Sequence, residues 1–246
     1  LKLRRDAYVG ASERLESTQP EDMASSLDGI SRILIARHHG RLVGSLTLSF
    51  PASEETQLDS QEGFPGGKYP VAIPPKANLV EVNRLCIRED YRGTDLPRGL
   101  FEHGLKHVLM SDRHWLITSA TEELLPLYQR IGFTRLKASY RHPQRGSREH
   151  HLLIAHRNAF LFGFRVGLLT WNSIFGDLVA HLIRTRLVTP PPWIRAVIRV
   201  KLLARPLAAW LMDAKARAGF RKHMETLKTN RRRALAEVEA PISPEK

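Results

Sequence analysis

Arg84, Arg92 and Arg98 punctuate the stretch of this sequence best suited to chemistry. The apolar, β-prone run Val82-Asn83-Arg84-Leu85-Cys86-Ile87 passes through a short charged turn into Tyr91-Arg92-Gly93-Thr94-Asp95-Leu96-Pro97-Arg98-Gly99-Leu100-Phe101. Where a strand hands over to a helix, the first helical N–H groups lack intrahelical acceptors and add to the helix dipole, so an anion is favoured there. Arg92 and Arg98 strengthen such a site, and a phosphate-bearing ligand is the natural occupant. A capped helix after a strand also occurs in α/β proteins that bind no phosphate, so a second motif has to decide.

The elements that must hold these residues follow from periodicity. From Leu96 onward, Leu96, Leu100, Leu105, Val108 and Leu109 recur at three- to five-residue spacing, which predicts a helix of about four turns. Thr94 or Asp95 serves as its N-cap and Pro97 suits its first turn. A short strand, Trp115-Leu116-Ile117-Thr118, comes next, then a helix opened by Thr121-Glu122-Glu123 and closed by Gly132, where a left-handed cap is expected. The second motif lies in that helix, Leu124-Leu125-Pro126-Leu127-Tyr128-Gln129-Arg130-Ile131-Gly132-Phe133.

The order strand, helix, strand, helix, Gly-Phe, strand resembles the GNAT superfamily of N-acyltransferases. The resemblance implies an α/β (α+β) fold with a mixed central sheet flanked by helices. It also implies an Arg/Gln-x-x-Gly-x-Gly/Ala loop cradling the pyrophosphate of coenzyme A, and a tyrosine acting as general acid toward the leaving thiolate. Arg92 falls at the first position of that loop and Tyr128 at the tyrosine position. The expected glycines are Asp95 and Pro97 here; the first sets a negative charge beside the anion site and the second removes an N–H donor.

A subset of the superfamily accounts for this departure. Glu81-Val82-Asn83-Arg84-Leu85 is similar to the Glu-x-Ser/Asn-Arg strand of acyl-homoserine lactone synthases and N-acyl amino acid synthases, which take long acyl chains from acyl carrier protein. Leu3-Arg4-Arg5-Asp6-Ala7-Tyr8-Val9 resembles their opening Arg-x-x-Val-Tyr/Phe segment, and Asp28 sits where they carry an aspartate before the strand Ile33 to Arg37. The run from Gly40 to Leu48 resembles their hairpin, with Thr47 in place of the usual arginine. A phosphopantetheine arm ends in one phosphate attached to a protein, so a weakened pyrophosphate grip is in keeping with that donor. A basic rim of Arg88, Arg92 and Arg98 is expected to dock the acidic carrier protein.

This resemblance implies a mechanism. The acyl thioester, on acyl-phosphopantetheine or acyl-CoA, lies where the fourth and fifth strands of the family fold diverge, its carbonyl held by a backbone N–H around Leu85, Cys86 and Ile87, with Arg92, Gly93, Thr94 and Arg98 around its phosphate. Glu81 accepts the proton of a small amine such as an amino acid, directly or through water, and Tyr128 protonates the thiolate. Arg84 belongs to the same site. An alternative for Glu81 is an ion pair with Arg84 or with Arg4 and Arg5 that only orders the pocket, and for Tyr128 a half-buried helix position. A short-chain, acetyl-CoA-dependent enzyme and a non-enzymatic membrane or nucleic-acid adaptor remain as alternative functions.

Composition bounds these readings. With 246 residues the chain has ample core for one large domain or a domain with an appendage. Its single cysteine, Cys86, excludes a disulfide framework and reads as a small buried side chain. His38, His39, His142, His150, His151 and His156 fall in turns and a last strand, without carboxylates or thiols at ligand spacing, so no metal is expected. The chain begins with Leu1 and shows no signal-peptide pattern, in keeping with a start that is trimmed or internal to a longer product. The expected setting of the acyltransferase is cytoplasmic. Residues 51–77, rich in Pro and Gly, form a long loop with the character of a substrate-side lid.

Charge divides the chain at 157. Residues 1–157 hold 22 Lys/Arg against 19 Asp/Glu, whereas 158–246 hold 16 against 6. The resemblance, which covers roughly residues 3–157, implies an acyltransferase domain over 1–157, and the charge and the helical spacing mark a basic, amphipathic helical extension over 158–246. Phe160, Phe164, Leu168, Trp171, Phe175, Leu178, Leu182 and Ile183 recur at helical spacing. After Thr189-Pro190-Pro191-Pro192, a second run extends from Trp193 through Trp210, and a third, polar helix from about Met212 to Glu237. These helices either pack on the body or lie in an anionic membrane interface, at the inner face of the membrane, since Trp193, Ile194, Val197, Ile198, Trp210 and Leu211 alternate with Arg195, Arg199, Lys201 and Arg205. Nucleic-acid binding is the least favoured partner class, because no recognisable motif accompanies the charge.

Overall fold

The computed structural model describes residues 3, 27–141 and 148–204, and six strands organise it. They are β1 (Ser31–His38), β2 (Arg41–Ser49), β3 (Leu79–Ile87), β4 (Trp115–Thr121), β5 (Thr134–Arg141) and β6 (Glu149–His156), in the order β1-β2-β3-β4-β6-β5. Only β3 and β4 run parallel; every other pair is antiparallel. The two-residue turn joining β1 to β2 has His39 and Gly40 both at positive φ, the backbone that a tight hairpin with the native strand twist demands. This is the mixed, helix-flanked α+β sheet expected from the sequence.

Alternation along the strands gives the sheet two different faces. Leu46, Leu48, Val80, Val82, Leu116 and Ala120 point to the first face, where α1 (Leu96–Leu109) packs with Leu100, Leu105, Val108 and Leu109. Leu79 and Ile117 point to the second, where they meet Leu58, Phe64, Ala138, Tyr140 and Leu152. At its β2 end the second face turns polar, with Ser45, Thr47, Ser49 and Glu81 buried side by side.

The segment 51–77 closes this second face. It runs through short 3-10 turns at Asp59–Gly63 and Pro65–Gly67, and Leu58, Asp59, Ser60, Gln61 and Phe64 are all buried. This differs from the lid expected from its length: its apolar side chains belong to a core, and Lys76 and Arg113 tie its ends through backbone carbonyls of Glu54, Thr56 and Pro51.

β4 extends to Thr121, three residues beyond the expected strand. A 3-10 turn at Glu122–Leu124 then leads into α2 (Leu125–Arg130). Its end is a full Schellman cap: Gly132 N–H donates to Gln129 O (3.1 Å), Phe133 N–H donates to Tyr128 O (3.0 Å), and Gly132 has φ +105°. The Tyr128 and Phe133 rings complete it edge to face, 5.4 Å apart.

Beyond β6 the helical spacing over Phe160 to Ile183 resolves into three helices, α3 (Arg157–Leu161), α4 (Leu168–Ile174) and α5 (Gly176–Arg184). Gly163 and Arg165 take positive φ and break the run after α3. Helix α6 (Pro192–Leu203) follows the proline turn. Phe160, Trp171, Phe175, Val179, Leu182, Ile194 and Ile198 join the same core as α1, so the described part of the basic extension packs on the body. The Leu3 to Val9 segment apart from Leu3, the Asp28 side chain, Trp210, Leu211 and the helix expected over 212–237 lie outside the described residues.

Candidate active site

The seam between β3 and β4 is short. Their register comprises Leu79 with Trp115, Val80 with Leu116, and Glu81 with Ile117, and stops there. Beyond Glu81, β3 has no strand on its β4 side among the described residues, so its backbone groups on that edge line an opening between the two faces of the sheet. On its other edge β3 carries a bulge: Thr47 pairs with Asn83 and Ser45 with Cys86, which sets Arg84 and Leu85 together against Leu46. Arg84 takes φ +53°, unusual for a residue with a Cβ. Leu85 is exposed at this point, while Cys86 is buried.

Glu81 stands at the last rung of the seam, on the second face, with 1% of its surface exposed. Its carboxylate accepts four hydrogen bonds: the Asp59 amide (2.9 Å) and Asn83 Nδ2 (3.2 Å) at Oε2, and the Ser60 amide (2.8 Å) and Ser60 Oγ (2.6 Å) at Oε1. Burial, then the neighbouring Asp59 carboxylate, push its pKa up to about 7 against the pull of the Ser60 hydroxyl and the two amides. Ser60 Oγ also bonds the Tyr69 hydroxyl (2.6 Å), so a chain of oxygens leads from half-buried Tyr69 to Glu81.

Arg84 is drawn to the same face by the bulge, but its partner is Asp59, at 2.6 Å, with both side chains almost fully enclosed. Of the ion pairs offered as the alternative role of Glu81, the one with Arg84 is replaced by Arg84 with Asp59, and Arg4 and Arg5 lie outside the described residues. Asn83 Oδ1 is a buried acceptor without a hydrogen-bond partner among the described residues. Because Nδ2 must face the Glu81 carboxylate, this oxygen is the atom left to receive a donor from a ligand.

Tyr128 lies on the first face. Its hydroxyl hydrogen-bonds the Thr118 side chain, and burial raises its pKa against that bond, so it keeps its proton. Thr118 directly follows Ile117, the partner of Glu81, with alternation placing it on the first face. A buried carboxylate and a protonated phenol thus flank the opening from opposite sides of the sheet. That arrangement suits a reaction in which one reactant reaches the opening from each face.

The expected donor loop is more sparingly equipped. Gly93 takes φ +81° and Arg92 is exposed at its tip. Thr94 Oγ donates to Tyr91 O and accepts from the Leu96 amide, while Pro97 has no amide hydrogen, so two of the first three helical positions offer an anion nothing. Arg98 is paired with Glu102 (2.7 Å) and Arg88 with Asp90 (2.6 Å), so two of the three cations of the expected rim are engaged with their own neighbours.

The site residues that sequence reasoning missed are Asp59, Ser60, Tyr69 and Thr118. The first two hold Glu81 through backbone amides, for which residue type carries no signal, and Ser60 adds its hydroxyl. Thr118 was legible only as a strand residue.

The family model for the FeeM N-acyl amino acid synthases matches residues 1–154. The chain belongs to that family. It is accordingly an N-acyltransferase of the GNAT type. Among solved structures, FeeM, an N-acyl amino acid synthase from uncultured soil microbes, has 16% identity and a TM-score of 0.47, covering 63% of this chain and 90% of its own. BjaI, a CoA-dependent acyl-homoserine lactone synthase solved with MTA, has 17% identity and a TM-score of 0.47, covering 81% and 89%. Escherichia coli ElaA has 17% identity and a TM-score of 0.41, covering 61% and 87%. No curated protein matches the chain significantly in sequence. In this member of the FeeM family, the Glu81 strand and Tyr128 both fall within the matched residues.

Proposed function

We propose that this enzyme transfers a long acyl chain from acyl carrier protein to the amine of an amino acid, in the cytoplasm, with its basic helices held at an anionic membrane surface. The acyl thioester enters the opening from the α1 face and the amine from the polar second face. Asn83 Oδ1 accepts one amine N–H. The amine nitrogen attacks the thioester carbon while its proton passes to Glu81, through Ser60 Oγ or a water, and the carbonyl oxygen is received by an amide of β3 beyond Glu81. The carbon–sulfur bond then breaks, and the thiolate takes the Tyr128 proton, which solvent restores.

The observation that carries this reading is the Glu81 carboxylate itself, buried where β3 and β4 part and titrating near neutrality. For the donor, the depleted anion cradle at α1 favours a single phosphate on a carrier protein over the pyrophosphate of coenzyme A. The test is lipid extraction and mass spectrometry of a bacterium expressing the chain. A new amide-linked acyl amino acid, absent with the Glu81→Gln variant, is expected; no new acylated amine over the vector control overturns the reading.

A further inference from the structure

Between α5 and α6 lies a groove of about 630 Å³. Arg184, Arg186, Arg195 and Arg199 line it together with apolar side chains that include Ile183, Ile198 and Leu202. No carboxylate lines the groove, and among the described residues none of these arginines has an acidic partner. A second hollow, lined by Pro192, Ala196 and Val200, shares Arg195 and Arg199 with it. Four guanidiniums around an apolar floor favour an anion, and guanidinium is the side chain best matched to phosphate oxygens.

The surroundings narrow the occupant. Ile194 and Ile198 anchor α6 in the core, which holds its outer face rigid. On α6 Val200 and Leu203 are 65% and 79% exposed next to Arg199, and Trp193, 60% exposed with its ring edge to face on Phe162, stands at the start of the helix. A free phosphate uses none of these apolar side chains, and an acidic protein surface would leave them against charge. A tryptophan and aliphatic residues next to arginines match the boundary between lipid headgroups and acyl chains.

We propose that this groove is a binding site for the phosphate headgroup of an anionic phospholipid, with Trp193, Val200 and Leu203 inserted beside it. The site orients the enzyme on the membrane, and it rests on the membrane part of the proposed function, independently of acyl transfer. The experiment uses the full chain and vesicles of phosphatidylcholine with or without phosphatidylglycerol. Sedimentation with the phosphatidylglycerol vesicles alone is expected, weakening as salt rises. Arg184→Gln with Arg199→Gln should lower partitioning about 25-fold, at about fivefold per arginine. Leu203→Asp, at an exposed position that leaves the core untouched, should lower it severalfold with an unchanged melting temperature. Equal binding to both vesicle types, undiminished binding by the folded variants, or displacement of the vesicles at constant ionic strength by inorganic phosphate or by acyl carrier protein overturns the proposal. The lipid-product assay reads acyl transfer separately.

Discussion

Asp59 acts on Glu81 in two opposing ways: its backbone amide donates to Oε2 at 2.9 Å, while its carboxylate, tied to Arg84 at 2.6 Å, resists ionisation of the same group. One residue thus holds the proposed base in place and helps keep its affinity for a proton near neutral.

The pH dependence follows from that balance. Glu81 must be ionised to accept a proton, so transfer should rise with pH through an apparent pKa near 7. Asp59→Asn removes a neighbouring negative charge and should move this limb to lower pH. Stability should run the other way. The folded chain retains a proton at Glu81 that the unfolded chain releases above its ordinary value of 4.5, so stability falls as pH rises from about 4.5 to about 7, then levels for this group. Melting curves across that range, with Glu81→Gln losing the slope, check the sign.

Glu81→Gln should lower transfer by about 10²–10⁴-fold, the usual contribution of a positioned general base. Its new NH₂ must also face amides that formerly donated to a carboxylate, which should cost about 1–3 kcal/mol of stability. Single-turnover rates beside denaturant unfolding separate the two effects.

Arg84→Met strands the Asp59 carboxylate in a buried position and should cost about 3–5 kcal/mol. The double substitution Arg84→Met, Asp59→Leu should recover much of that loss, because no uncompensated charge remains. Urea midpoints of the single and double variants test this.

Tyr128→Phe preserves the ring contact with Phe133 and the Schellman cap while removing the proton donor. Transfer should fall by about 10²-fold with little change in unfolding midpoint. An acyl donor with a more acidic leaving thiol should be slowed less, since its thiolate needs less help to depart.

Gly63→Ala places a methyl group into the Tyr140 ring, on the face where Asp59 and Ser60 are held. We expect a loss of about 1–3 kcal/mol from overpacking. Transfer should fall further than global unfolding accounts for, because the turn carrying the Glu81 donors must shift. Activity of the folded fraction, normalised by circular dichroism, is the measurement.

The parts of the molecule legible in sequence are those in which side-chain type determines position. Glu81, Arg84 and Tyr128 stood out through the resemblance of their motifs to those of the acyltransferases, and Gly132 marked the helix end by its residue type, which the structure bears out with a positive φ. The clamp on Glu81 was largely hidden in the Pro- and Gly-rich 51–77 segment, where periodicity says nothing and two of the three donors are main-chain amides. The bulge was equally hidden, since an arginine at φ +53° replaces the glycine that ordinarily betrays such a position. Apolar spacing over Phe160 to Ile183 ran straight through the break at Gly163 and Arg165, because residues of separate helices can share one core face. The pairing of Arg84 with Asp59 instead of Glu81 depended on a contact 25 residues apart that no local pattern encodes.

The three-rung seam has a mechanical consequence. It divides the sheet into two leaves, β1-β2-β3 and β4-β6-β5, joined along the sheet, among the described residues, only at Leu79, Val80 and Glu81. Backbone hydrogen exchange should be faster along the β3 edge past Glu81 than in the paired ladders on either side. A guest that threads the opening and bonds that edge rivets the leaves together, so occupancy should be readable as slowed exchange in strands it never touches.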